Sequence, residues 1–96
     1  MVRFSDSALS DLEDIVRWYK EQGVPEVGLR LVREIVDCVE TLRSYPRLGR
    51  IVPEFGQPFL RELIHPPFRV VYRLDAGEVS VVRVWRSERL LRLPDA

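Results

Sequence analysis

Few side chains in this 96-residue chain are suited to chemistry, and most of those are cations. His65 is the only histidine, and so the only side chain of the type that exchanges protons readily near neutral pH. It closes a β-favouring run directly before Pro66-Pro67, a place that suits a surface or turn histidine as well as a proton carrier. Cys38 is the only cysteine, which rules out an intramolecular disulfide and a cysteine-based metal cluster. Its position on the apolar stripe of a predicted helix points to a buried, inert thiol. Near the C-terminus, Arg83, Arg86 and Arg89 surround Trp85, a cluster on which an acidic partner segment or a nucleic-acid backbone could dock, unless water alone solvates it. Arg47 and Arg50 flank Gly49 behind a predicted helix, where they suit the negative end of its dipole. No cofactor or metal is expected.

The formal net charge is +0, whereas proteins that grip duplex DNA or ribosomes electrostatically are usually strongly basic. The neutrality is unevenly composed. Residues 1–46 carry six basic and nine acidic side chains, and residues 47–96 carry nine basic and six acidic. Lys20 is the only lysine, so the basic half is built from arginines, which bind phosphate or carboxylate in two-pronged fashion. A GC-rich genome gives the same bias without any functional reason.

The elements that position these residues follow from periodicity. Val2 to Phe4 reads as a short strand, and Ser5-Asp6-Ser7 offers helix N-caps. Leu9, Leu12, Ile15, Val16 and Tyr19 recur at helical spacing until Gly23. Pro25 opens a second helix whose stripe of Leu31, Val32, Ile35, Cys38, Val39 and Leu42 runs to about Ser44, before Tyr45-Pro46. The short Gly23-Val24 link forces the two helices into an antiparallel hairpin with Leu12, Ile15, Ile35 and Leu42 in a common core. Residues 46–58, rich in proline and glycine, read as a loop. The period then changes to that of strands over Phe59–His65, Phe68–Leu74 and Val79–Arg86, with Asp75-Ala76-Gly77-Glu78 as a hairpin turn. The middle run is apolar on both faces, which places it centrally, and the first strand must pair at a free edge of the sheet. The fold class is therefore α+β in a single domain spanning 1–96, with the helical hairpin on one face of a small, mainly antiparallel sheet and the other face in water. No run is long and apolar enough to span a bilayer, and the N-terminus lacks the apolar core of a signal peptide, so a cytoplasmic protein is expected.

Taken in order, Ala8 to Tyr19, Pro46-Arg47-Leu48-Gly49-Arg50, Arg61-Glu62-Leu63, Phe68-Arg69-Val70-Val71-Tyr72-Arg73 and Val82-Arg83-Val84-Trp85 resemble the pattern of the RelE/ParE toxin superfamily, with a ParE-like flavour, across nearly the whole chain. The resemblance implies the toxin of a type II toxin-antitoxin pair, neutralised by an antitoxin that wraps a disordered segment around it. Two activities are associated with this fold. RelE-like members cut messenger RNA on the ribosome with cations and proton carriers on an open sheet face. ParE-like members inhibit DNA gyrase by binding.

On the nuclease reading, the resemblance makes Arg69 the contact to the scissile phosphate. Arg61 would share its face, Tyr72 would be an acid or base unless it is a core tyrosine, and Arg86 would stand where many relatives have a histidine. Glu54 could be a general base or a solvated loop residue. Glu62 and Leu63 occupy positions where a nuclease prefers cations, and an arginine cannot replace histidine as a base. The sequence therefore favours gyrase inhibition by binding, with Arg83, Trp85, Arg86 and Arg89 as target or antitoxin contacts. An mRNA endoribonuclease and a non-toxic partner-binding co-repressor are the alternatives.

Overall fold

The computed structural model describes residues 2–87. Strand β1 (Val2–Phe4) leads into helix α1 (Asp6–Glu21), and the Ser5 hydroxyl caps that helix by accepting from the Ala8 N–H at 3.0 Å. Helix α2 (Pro25–Glu40) follows after a three-residue link and tightens into a 3₁₀ turn over Thr41–Arg43, so the expected helix to about Ser44 ends as α-helix slightly earlier. Gly28 lies so close to α1 that an added Cβ would meet Tyr19 Cβ at 3.0 Å, which lets the two helices pack tightly.

Strands β2 (Arg50–Ile51), β3 (Leu60–His65), β4 (Phe68–Asp75) and β5 (Glu78–Arg86) complete a five-stranded sheet in the order β1-β5-β4-β3-β2. β1 joins the edge in parallel to β5, opposite Val79–Val81, while the remaining pairs are antiparallel. β4 is central, as its two apolar faces require. β2 is the one unanticipated strand. Two residues inside a proline- and glycine-rich segment carry no periodicity, and only pairing with Arg61 and Glu62 makes them a strand.

The β4–β5 turn holds both central residues at positive φ, Ala76 at 52° and Gly77 at 81°. That is the turn geometry whose twist matches a two-residue hairpin.

The main core lies between the hairpin and one sheet face. Ala8, Leu12, Ile15, Leu31, Ile35, Val39 and Leu42 pack on Phe68, Val70, Tyr72, Val79, Val81 and Val84. Leu9, by contrast, is exposed. The second face is not left to water. Val52 and Phe55, from the segment after β2, cover Val71, Leu60, Val82 and Trp85 in a smaller apolar cluster. A β-bulge at Val82, opposite the Val71–Tyr72 step, switches the alternation of β5. Val79 and Val81 therefore face the helices while Arg83, paired with Val71, and Trp85 face away, although uninterrupted alternation along β5 would put all four on one side.

Candidate functional site

The arginine and tyrosine positions that a nuclease would use are separated by the sheet itself. In the β3–β4 register Arg61 pairs with Tyr72 and Ile64 with Arg69, so Arg61 lies on the helix side and Arg69 on the opposite side. The expected shared face does not exist.

Each of these groups is also engaged. Arg69 is buried, and its guanidinium binds Glu54 through both terminal nitrogens at 2.9 Å and Glu62 through Nε at 2.8 Å. The Glu54 hydrogen bonds, followed by those of Glu62, outweigh desolvation and raise its pKa further above the ordinary arginine value, so it stays charged. Glu62, fully buried, gives its other oxygen to Arg50 Nε at 2.6 Å. Arg50 thus ties the edge strand to β3 and does not serve the end of α2. Glu54 is an exposed loop residue but not a free base, because its carboxylate clamps the covering segment to the sheet through Arg69.

Tyr72 is fully buried as well. Its hydroxyl donates to the Pro46 carbonyl at 2.7 Å and accepts from the Gly49 N–H at 2.9 Å. Burial raises its pKa, the Gly49 hydrogen bond and Arg61 opposing, which leaves a neutral structural hydroxyl and no proton carrier. Arg61 holds the same segment from outside, donating to the carbonyls of Pro58 at 3.0 Å and Gly49 at 3.0 Å. Position 49 must be glycine, because a Cβ there would sit 2.6 Å from Tyr72 Cε1 and 2.7 Å from the Glu62 carbonyl.

His65 is not a free turn histidine. Its Nε2 lies 2.9 Å from Glu34 Oε1 on α2, and its Nδ1 lies 3.7 Å from Cys38 Sγ. Cys38 is only partly buried, since it sits at the edge of its helix's apolar stripe where β3 ends. Among the described residues, no three or more His, Cys, Asp and Glu side chains are arranged to hold a metal ion.

A concave surface opens at the other border of the sheet, between α1 and the second half of β5. It encloses about 390 Å³ and is lined by Asp11, Asp14, Ile15, Trp18, Tyr19, Phe68 and residues 83–86. Beyond Val82 no strand among the described residues pairs with this edge of β5. Asp11 occupies part of it. Its Oδ2 accepts from Arg83 Nε and from the Val84 N–H, both at 2.8 Å, while Oδ1 takes Arg83 Nη2 at 2.9 Å. The Asp11 hydrogen bond raises the Arg83 pKa, against desolvation. The same guanidinium stacks on Trp85 with its carbon 4.6 Å from the ring centre.

Arg86 faces the helices and lies 5.9 Å from the ring centres of both Trp18 and Phe68. Arg83 and Arg86 therefore border one groove from opposite faces of the sheet and do not form one basic patch. Arg89 lies outside the described residues. Asp11 and Trp18 are the members that sequence reading missed. Asp11 looks like an ordinary polar-face residue of an amphipathic helix, and nothing local reveals that it meets β5.

The model of a family described as ParE toxin of type II toxin-antitoxin system, parDE, matches residues 2–91. A solved structure described as a chromosomal ParDE TA system from P. aeruginosa is similar to this chain with a TM-score of 0.76 and 28% identity, covering 91% of this chain and 95% of that one. No curated protein matches.

Proposed function

The chain belongs to the ParE toxins of type II toxin-antitoxin systems, and from that premise we propose that it arrests growth by binding DNA gyrase and is kept inactive by a cognate antitoxin. The observation that carries the first half is the engagement of Arg69 by Glu54 and Glu62 beneath the segment that covers the sheet. A phosphate contact there would have to displace two carboxylates from a buried guanidinium, and the neighbouring tyrosine is sealed in the core. An inhibitor that acts by binding needs neither group.

The groove between α1 and β5 supports the second half. It combines an apolar floor of Ile15 and Phe68, a half-exposed Trp18 and an exposed Arg86 beside a strand edge that no strand among the described residues pairs with. An amphipathic antitoxin segment would place an apolar side chain by Trp18 and Phe68 and a carboxylate by Arg86.

Expression of the chain alone in cells tests the reading. Growth arrest with double-strand DNA breaks and intact transcripts, relieved by the antitoxin, is the expected result. Transcripts cut at codons within minutes would instead support ribosome-dependent cleavage, and unaffected growth would support a non-toxic co-repressor. Co-purification of toxin and antitoxin at a fixed stoichiometry checks the partnership itself.

A further inference from the structure

A cluster used by neither the groove nor the Arg69 network lies where α2 meets the end of β3. Glu34 and Cys38 are one helical turn apart and so share a face of α2. The ring of His65 stands between them, with Nδ1 3.7 Å from Cys38 Sγ and Nε2 2.9 Å from Glu34 Oε1. The other oxygen of Glu34 accepts from Arg30 at 3.2 Å. The imidazole and Glu34 side chains are 24% and 39% exposed, and the thiol is partly exposed, so an ion from solvent can reach them.

Two geometric features and one electrostatic one give this cluster a chemistry. A tetrahedral zinc ion, with Zn–S near ~2.3 Å and Zn–N near ~2.05 Å, holds its sulfur and nitrogen ligands about 3.5–3.6 Å apart. The observed sulfur-nitrogen separation is close to that edge. The second nitrogen of the ring is bound to a carboxylate, the arrangement that fixes the orientation of metal-ligating histidines and raises their basicity. Burial, then Asp37 and Glu34, raise the thiol pKa. The carboxylates that oppose a bare thiolate also attract the cation that would neutralise it.

We propose that Cys38 Sγ and His65 Nδ1 form a two-ligand site for a zinc-class divalent cation, with Glu34 positioning the imidazole and water completing the coordination. On binding, the thiol releases its proton and the thiolate sulfur donates to the metal, with no redox change. The ion bridges α2 and the end of β3. With two protein donors it stops short of a structural cage, and the remaining positions exchange with solvent.

The test uses the full chain without a histidine tag, titrated with Co(II) as a spectroscopic probe and then with Zn(II) as competitor. The expected result is a sulfur-to-cobalt charge-transfer band at one ion per chain, abolished by Zn(II), with about one proton released per ion at neutral pH. Cys38→Ser removes the band. Glu34→Gln retains it but weakens binding by about 10–100-fold, and His65→Gln weakens it at least as much. Circular dichroism of the metal-free variants establishes that they are folded. Carboxamidomethylation of Cys38 in the parent protein gives an independent block should a variant fail to fold. Absence of the band in the parent at millimolar Co(II), or its persistence after the thiol is blocked, overturns the site. Undiminished affinity in Glu34→Gln overturns the positioning role.

Discussion

Replacing Arg69 with methionine separates its structural role from a functional one. The substitution keeps most of the side-chain volume but leaves Glu62, whose side chain is fully buried, with the largely exposed Arg50 as its one ion-pair partner among the described residues. Removing one member of a buried ion pair costs about 3–5 kcal/mol, because the remaining charge is stranded in a medium that solvates it poorly. With a urea m-value of about 2 kcal/mol/M, the unfolding midpoint should fall by about 1.5–2.5 M with the slope unchanged. Adding Glu62→Leu removes the stranded charge, so the double variant should recover about 2 kcal/mol or more of the loss. A cost below about 1 kcal/mol for Arg69→Met, or a double variant weaker than the single one, would refute the buried-network argument. The same variant bears on function. At a temperature where it remains folded it should still arrest growth. Loss of toxicity without loss of structure would return Arg69 to the functional site.

Further outcomes follow from individual contacts. Gly49→Ala should lower stability by about 1–3 kcal/mol in denaturant titration, because its Cβ would collide with Tyr72 and the β3 backbone. Ala76→Asn should raise stability by about 0.5–1 kcal/mol by the same measurement, since asparagine tolerates the left-handed backbone that alanine resists. Asp11→Ala should cost about 1–3 kcal/mol by freeing Arg83 and the Val84 N–H, and it should weaken antitoxin capture measured by calorimetry. The pKa of Glu34 is depressed, chiefly by its hydrogen bond to His65, then by Arg30, against desolvation. Its contribution to stability is therefore complete above the unfolded value near 4.5 and is lost as pH falls through the lower folded value. Glu34→Gln should flatten that acid limb of the stability profile.

Much of the fold was legible because its helices and long strands carry strong periodicities. Leu12, Ile15, Ile35 and Leu42 are buried as their spacing requires, and β4 is central because both its faces are apolar. The parts that escaped are those set by tertiary contact. A one-residue bulge at Val82 turned Val79 and Val81 to the opposite side from Trp85, and such a shift leaves no trace in composition. Glu62 was legible as an obstacle to a nuclease site. Its role as a buried partner to two arginines depends on Arg50 and Arg69, twelve and seven residues away, converging on one carboxylate. Trp85 and Arg86, expected as target or antitoxin contacts, line the groove, but the Asp11 and Trp18 that line it with them lie more than sixty residues earlier and become visible only when α1 is laid against β5.

The most direct test of how this ParE toxin acts is a supercoiling assay with purified protein and purified DNA gyrase, run beside a translating extract programmed with a defined messenger RNA. Gyrase inhibition by binding gives loss of supercoiling with accumulation of cleaved DNA, reversal by the antitoxin, and an intact message in the extract. Undisturbed supercoiling together with codon-specific cleavage of the message would contradict it.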